Sequence, residues 1–101
     1  LDPVILYATS DQPQEISVSM PYPNPFNPMV NIDIDMVSQN NVNIKVYNIN
    51  GQLVDNIYSG LLSQGLSKLS WNASYQPSGM YFVNVESNGS MIANHKIMLL
   101  K

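Results

Sequence analysis

The sequence contains no cysteine and no arginine, and its four basic residues are all lysines. Without cysteine the chain cannot form a disulfide bond, a thiolate nucleophile or a cysteine-ligated metal site, so the fold depends on packing alone. A net charge of -3 does not provide the positive surface that nucleic-acid binding requires. No apolar run is long enough to span a bilayer. We therefore expect neither a nucleic-acid partner nor membrane insertion.

The overall composition is that of a single folded domain. A chain of 101 residues buries about 60 to 65% of its unfolded surface. Hydrophobic residues make up 45% of the sequence and charged residues 11%, which is too apolar for a disordered segment. The sequence starts at Leu1 and shows no basic segment followed by an apolar run, so we expect any signal peptide to lie upstream in a longer precursor.

Apolar residues recur at every second position in several short runs, which is the pattern of β-strands with one buried face. Helical spacing is not sustained anywhere along the sequence. The pattern predicts about seven strands, with apolar runs at 16–20, 30–36, 42–46, 53–58, 69–71, 81–85 and 91–100.

Glycines mark the predicted turns between these strands. The Asn-Gly pairs at 50–51 and 88–89 tolerate the positive φ of tight hairpins, and Gly60 and Gly65 are expected to bracket a further loop. Seven short antiparallel strands cannot cover their apolar faces within a single sheet. The sequence therefore predicts an all-β fold, an immunoglobulin-like antiparallel β-sandwich of about seven strands.

The segment YPNPFNP, residues 22–28, contains three prolines and is called the proline motif below. Each proline removes a backbone donor and keeps its predecessor extended, so neither a helix nor a central strand is expected. We expect the side chains of Asn24 and Asn27 to bond nearby backbone amides and Phe26 to anchor the segment in the core. The motif is predicted to be a stiff crossover between the first two strands. An exposed proline-rich ligand is the alternative.

Residues 1–14 differ in composition from the rest, with a short apolar run followed by a polar, proline-containing stretch. We predict that they form a linker or the end of an upstream domain, and that the sandwich domain spans 15–101. Proteolytic processing is expected near 11–15. The alternative is an additional edge strand at 4–7 that belongs to the sandwich.

Few residues could support catalysis. His95 is the only histidine, and a nucleophilic arrangement would need a serine and an aspartate that the sequence does not place beside it. We expect instead a hydrogen-bonded histidine at a strand edge. Asp33 and Asp35 share one face of a strand, but nothing matches a calcium-binding loop, and a solvated outer face explains them. We expect no catalytic residue, no metal site and no cofactor.

Six segments in order resemble one known family: YPNPFNP, VNIDIDM, IKVYNINGQLV, LSWNAS, PSGMYFVNVES and HKIMLLK. Over residues 16–101 they resemble the C-terminal sorting domain of cargo proteins of the type IX secretion system, in its immunoglobulin-like type A form. The pattern is also similar to the immunoglobulin-like domain of the flagellar hook-capping protein. Several motifs at consistent spacing are more specific than any single one.

The resemblance implies a non-catalytic secretion signal that directs an upstream cargo domain out of a Bacteroidetes-type bacterium. The expected partners are the type IX outer-membrane translocon, which would recognise the folded domain, and a sortase-like surface peptidase. The peptidase would cleave ahead of the domain and release the cargo or attach it to lipopolysaccharide. The expected location is the periplasm in transit, and then the cell surface or the medium.

The family pattern maps onto individual positions of this sequence. The first hairpin departs from it, because Gln52 stands where arginine is common, and Asn48 and Asn50 replace a more acidic or apolar pair. These positions therefore carry no charged side chain that could make a contact at that hairpin. The residues implied in translocon recognition are Pro23, Asn24, Pro25, Gly51, Gly79, Tyr81, Lys96 and Lys101.

The same positions also have structural interpretations. Gly79 followed by Tyr81 at a strand entrance suits a tyrosine corner, in which the phenol bonds an upstream backbone carbonyl. Trp71 lies on an apolar face and is expected in the core. Lys96 and Lys101 flank an apolar run whose backbone either pairs with a partner's sheet edge or is protected by the two charges, and both interpretations stay open.

Three other functions make different demands on the chain. A carbohydrate-binding module of a secreted hydrolase would need exposed, coplanar aromatic side chains, drawn from Tyr47, Tyr58, Trp71 and Tyr75. A purely structural accessory module would tolerate loss of the last six residues without loss of export. A hydrolase domain would need a carboxylate partner for His95.

Overall fold

The structure is a computed structural model that describes residues 16–101. The predictions for residues 1–14, for processing near 11–15 and for an edge strand at 4–7 lie outside the described residues. Within 16–101 the chain forms strands and no helix. The strands are β1 (Ile16–Val18), β2 (Met29–Met36), β3 (Asn40–Asn48), β4 (Leu53–Leu62), β5 (Gly65–Asn72), β6 (Gly79–Ser87) and β7 (Ser90–Leu99).

The strands form two antiparallel sheets, of order β1-β2-β5 and β4-β3-β6-β7. The β3–β4 and β6–β7 hairpins close within the four-stranded sheet, whereas the β2–β3, β4–β5 and β5–β6 connections pass from one sheet to the other. The predicted all-β sandwich of about seven strands is confirmed.

The predicted loop between Gly60 and Gly65 is present but shorter than expected. Gly60 lies inside β4, where it pairs with Val42, and the strand continues for two more residues opposite Asn41 and Asn40. The turn to β5 is at residues 63–64. A glycine allows the backbone to turn. Here β3 is long enough to keep pairing with β4 beyond Gly60, so β4 does not end there.

The core lies between the inner faces of the two sheets, where every second residue is buried along most of β2, β3 and β6. Such alternation is expected of antiparallel sheets with one face packed and one solvated. The strand residues of this core are Val30, Ile32, Ile34, Met36, Val42, Ile44, Val46, Leu62, Trp71, Tyr81, Val83, Val85, Ile97 and Leu99.

Three aromatic side chains close the core at one end of the sandwich. The ring centroids of Phe26 and Trp71 are 5.8 Å apart, and those of Trp71 and Tyr81 are 5.4 Å apart in an edge-to-face arrangement. Trp71 is 3% exposed, so its predicted core position is confirmed. Its indole N–H donates to a carboxylate oxygen of Asp55 on β4 over 2.8 Å, and this bond joins the two sheets.

The proline motif is confirmed as the crossover from β1 to β2, with Phe26 buried in the core. The peptide bonds preceding Pro23, Pro25 and Pro28 are cis.

Tyr81 forms the predicted tyrosine corner at the start of β6. Its hydroxyl donates to the backbone oxygen of Pro77 over 2.6 Å and ties the β5–β6 loop to the sheet. Burial of the phenol raises the pKa of Tyr81 above its ordinary value.

The bond between Trp71 and Asp55 makes a testable contribution to stability. Asp55→Ala leaves the indole N–H without its acceptor, and we expect the free energy of unfolding to fall by about 1–3 kcal/mol in a urea titration. Asp55→Asn keeps a side-chain oxygen and is the matched control, with a smaller expected loss. Equal stability of the alanine variant and the unsubstituted protein would contradict a stabilising bond.

Tyr81→Phe removes only the hydroxyl, and we expect it to cost about 1–2 kcal/mol of unfolding free energy at neutral pH. Because the folded-state pKa of Tyr81 is raised, the stability of the unsubstituted protein is complete below about pH 10 and declines as pH rises through that pKa. Phenylalanine has no such proton to lose. Urea titrations should therefore show that the difference in unfolding free energy between the unsubstituted protein and Tyr81→Phe narrows above about pH 10. A widening difference would contradict this account.

Candidate functional site

Five of the eight residues implied in recognition lie at one end of the sandwich, and the other three, Gly79, Tyr81 and Lys96, lie within β6 and β7 near that end. β2, β4 and β6 begin at this end, and β3, β5 and β7 finish there, as their antiparallel pairing requires. We call it the motif end, and it is formed by residues 21–28, 49–52, 73–78 and 100–101. The opposite end is formed by the turns at 37–39, 63–64 and 88–89 and is called the far end.

The proline motif begins by binding β2. The backbone groups of Tyr22 and Asn31 exchange two hydrogen bonds of 2.9 and 2.8 Å. The Tyr22 hydroxyl donates to the Asp33 carboxylate and accepts from the Lys68 ammonium over 3.1 Å. That hydrogen bond, together with the charge of Asp33, raises the pKa of Lys68. The start of the motif is thus fixed to the outer face of the three-stranded sheet.

The middle of the proline motif binds the outer edge of β7. The Asn24 side chain donates to the backbone oxygen of Lys96 over 3.2 Å and accepts from the backbone N–H of Met98 over 2.9 Å. Phe26 then pairs through its backbone with Met98 and Leu100, at 2.9 and 3.0 Å. The side-chain amide of Asn24 therefore takes the place of a peptide group in a strand.

This arrangement corrects the expectation for the two asparagines and bears on the two open interpretations of the β7 edge. Asn24 does not bond nearby backbone, because the free donors and acceptors at the edge of β7 are the groups that need partners. Asn27 has no side-chain hydrogen bond within residues 16–101. The backbone of β7 near Lys96 is not open to a partner's sheet edge, because the proline motif already pairs with it.

The end of the chain fixes the β5–β6 loop. The Lys101 ammonium donates to the backbone oxygen of Ser74 over 2.7 Å, and the Lys101 backbone N–H donates to the Ser78 hydroxyl over 2.9 Å. Lys101 and Lys96 are both exposed. Lys101 therefore contacts the same β5–β6 loop to which the Tyr81 hydroxyl is hydrogen-bonded.

The β3–β4 hairpin is fixed by its amide side chains. The Asn48 side chain accepts from the backbone N–H groups of Asn50 and Gln52, at 2.9 and 3.0 Å, and donates to the Gln52 side chain over 2.9 Å. Gly51 adopts a φ of 79°, which a glycine tolerates best. Asn48 and Gln52, which both depart from the family pattern, are thus hydrogen-bonded to each other.

A cleft of about 240 Å³ separates the β3–β4 hairpin from the β5–β6 loop. It is lined by residues 48–50 and 76–81, and none of these residues carries a charge at neutral pH. Gly79 and Tyr81, two of the eight implied residues, form part of its wall.

The residues suggested for glycan binding do not form an exposed aromatic platform. Trp71 is buried, and Tyr47 and Tyr58 are half-buried, with the Tyr58 hydroxyl bonded to the backbone oxygen of Leu61. Tyr75 is 98% exposed. A stacking surface for a sugar would need several such rings in one plane.

The structure places His95 on the inward face of β7, in line with Ile97 and Leu99. Its Nε2 atom is enclosed and has no hydrogen-bond partner within residues 16–101, so the expected hydrogen bond at this nitrogen is wrong. An apolar inner face offers few polar partners. In the described range no three His, Asp or Glu side chains are close enough to hold a metal ion, and no helix there could cross a membrane.

Sequence reasoning missed the cleft and the partner of Trp71. The Asn-Gly pair located the hairpin, and Gly79 with Tyr81 located the entrance to the later strand, but nothing local indicates that these two segments face each other. They meet because β3 and β6 pair although they are far apart in sequence. Asp55 gave no signal, since an aspartate in an edge strand is ordinary.

Two solved structures share this fold. Dimeric latent PorU from Porphyromonas gingivalis matches with a TM-score of 0.65 at 16% identity, covering 89% of this chain and 10% of PorU. The alkylpurine DNA glycosylase AlkC from Pseudomonas fluorescens, bound to DNA containing an abasic site analog, matches with a TM-score of 0.53 at 12% identity, covering 89% of this chain and 32% of AlkC. The chain thus spans a small part of each protein, and the likeness concerns the fold alone.

No curated protein sequence matches this chain at a significant level. A family model does match it, over residues 21–100, and its description is the secretion system C-terminal sorting domain. The match begins at the proline motif and runs to the end of the strand that the motif binds. The chain therefore belongs to the family of C-terminal sorting domains of the type IX secretion system.

Proposed function

We propose that the motif end is the surface through which the type IX outer-membrane translocon recognises this domain. Family membership supplies the sorting function itself, with export and a secreted or cell-surface fate. The observation that supports the location is the pair of hydrogen bonds between the Asn24 side chain and the backbone of β7, which brings the first and last parts of the family match together.

The motif end is organised before any partner arrives. Pro23 and Pro25 are exposed and conformationally restricted, and Asn24 between them is fixed to β7. Gly51 and Gly79 supply the positive φ values of the two loops, at 79° and 153°. A surface held in its binding conformation loses little conformational entropy on association, which favours specific recognition.

In this proposal the domain has no catalytic role, and the upstream cargo carries whatever chemistry the whole protein performs. The precursor passes through the periplasm before the translocon recognises the folded domain. A sortase-like surface peptidase then cleaves ahead of the domain and releases the cargo or attaches it to lipopolysaccharide. The exposed Lys96 and Lys101 provide positive charge at the recognition surface of a domain that is acidic overall.

The export function is tested by fusing the 101-residue chain behind a signal peptide and a fluorescent reporter in a bacterium with type IX machinery. We expect the intact fusion to reach the surface or the medium, and a fusion lacking residues 96–101 to stay in the periplasm. That deletion also removes Ile97 and Leu99 from the core, so its folding must be compared by circular dichroism.

Asn24→Ala is the sharper variant, because it removes two hydrogen bonds from an exposed side chain and no core atom. We expect its export to fall by about tenfold, which corresponds to 1.4 kcal/mol, and hydrogen exchange at the Met98 N–H to accelerate. Asn27→Ala, in the same motif but without a side-chain hydrogen bond in the described range, is the control and should be exported normally. Normal export of a folded Asn24→Ala fusion would refute the location of the recognition surface.

A further inference from the structure

The cleft at the motif end presents two side-chain amides without partners. The amide of Asn48 is engaged within the hairpin, and the Ser78 hydroxyl accepts from Lys101. The side chains of Asn50 and Gln76 make no hydrogen bond within residues 16–101. Each of these two offers a donor and an acceptor beside the cleft.

The cleft also presents apolar surface and no charge. Ile49 is 71% exposed at its rim and Met80 is half-buried in its wall. A charged side chain that entered would lose hydration without meeting an opposite charge among the residues that line the cleft, which is unfavourable. The electrostatic character of the cleft therefore selects an uncharged occupant. Its volume, about 240 Å³, is below the range of about 300–1,000 Å³ typical of small-molecule sites.

The chain itself demonstrates how an amide at this end binds an extended segment. Asn24 donates to one backbone oxygen of β7 and accepts from the N–H two residues further on. Asn50 and Gln76 have the same functional group at the cleft, and both are accessible. An extended peptide supplies the backbone oxygens and N–H groups that such amides pair with.

We propose that the cleft binds an extended, uncharged segment of the translocon. In this arrangement Asn50 and Gln76 pair with the backbone of the segment, and one large aliphatic or aromatic side chain enters beside Ile49 and Met80. The inference rests on the proposed function, because it names the part of the motif end that the translocon contacts. Asn24 holds the motif end in its conformation, and the cleft makes the contact with the translocon.

The experiment uses the same reporter fusion with two substitutions in the cleft and two matched substitutions at or near the far end. Ile49→Ser removes an apolar side chain that is 71% exposed, and its control Leu66→Ser removes one that is 69% exposed on β5. Gln76→Glu places a negative charge at the cleft, and its control Gln64→Glu places the same charge in the turn at 63–64.

We expect export of the Ile49→Ser and Gln76→Glu fusions to fall by about tenfold or more, as for central contacts of a protein interface. The two control fusions should stay within about twofold of the unsubstituted fusion, since isolated surface substitutions rarely affect folding. Thermal unfolding of all four variants checks that they remain folded. A photo-crosslinking residue at position 49 should also capture an outer-membrane translocon protein, and one at position 66 should not.

Each outcome bears on a separate claim. Normal export of both folded cleft variants, or an equal loss in the cleft variants and their controls, would overturn the cleft as the docking site while leaving the sorting function intact. Failure of the unsubstituted fusion to leave the periplasm would overturn the proposed function and the cleft's role with it. A cross-link from position 49 to a protein outside the translocon would overturn the assignment of the partner.

Discussion

The two hydrogen bonds between the Asn24 side chain and the backbone of β7 are the interaction on which the motif end depends. They join residues 72 and 74 positions apart in sequence and, together with the backbone bonds of Phe26, pair the end of a sheet edge that would otherwise be open. They lie beside Phe26, which makes its own backbone bonds to Met98 and Leu100 and whose ring packs on Trp71, and Trp71 packs in turn on Tyr81. A polar contact at the surface is thereby continuous with an aromatic cluster in the core, and that cluster lies beside the loop held by Tyr81.

Much of the fold could be predicted from the sequence, because a strand with one buried face has a period of two that can be counted. The runs around Ile32, Ile44 and Val83 show it clearly, and each corresponds to a long strand with alternating burial. The spacing of Gly79 and Tyr81 predicted the tyrosine corner, since that corner is a local arrangement. The core position of Trp71 could be predicted from its hydrophobicity and its place on an apolar face.

The parts that could not be predicted depend on contacts between segments distant in sequence. Asn24 and Asn27 are each followed by a proline, yet only Asn24 lies opposite free backbone groups of β7. Gly60 carries the signal of a turn, and only the length of its partner strand decides that β4 continues. The cleft residues Ile49 and Gln76 belong to loops that meet because β3 pairs with β6. Local propensity contains none of this information.

The separation between Asn24 and Met98 has a consequence for the order in which the domain takes shape during synthesis. The ribosome makes the proline motif first, and the backbone that it must bind emerges 74 residues later. Contacts of such long range close late in folding. A chain interrupted anywhere between the two segments can form hairpins but cannot display the motif end. Presentation of that surface therefore requires β7 to be present and paired with the proline motif.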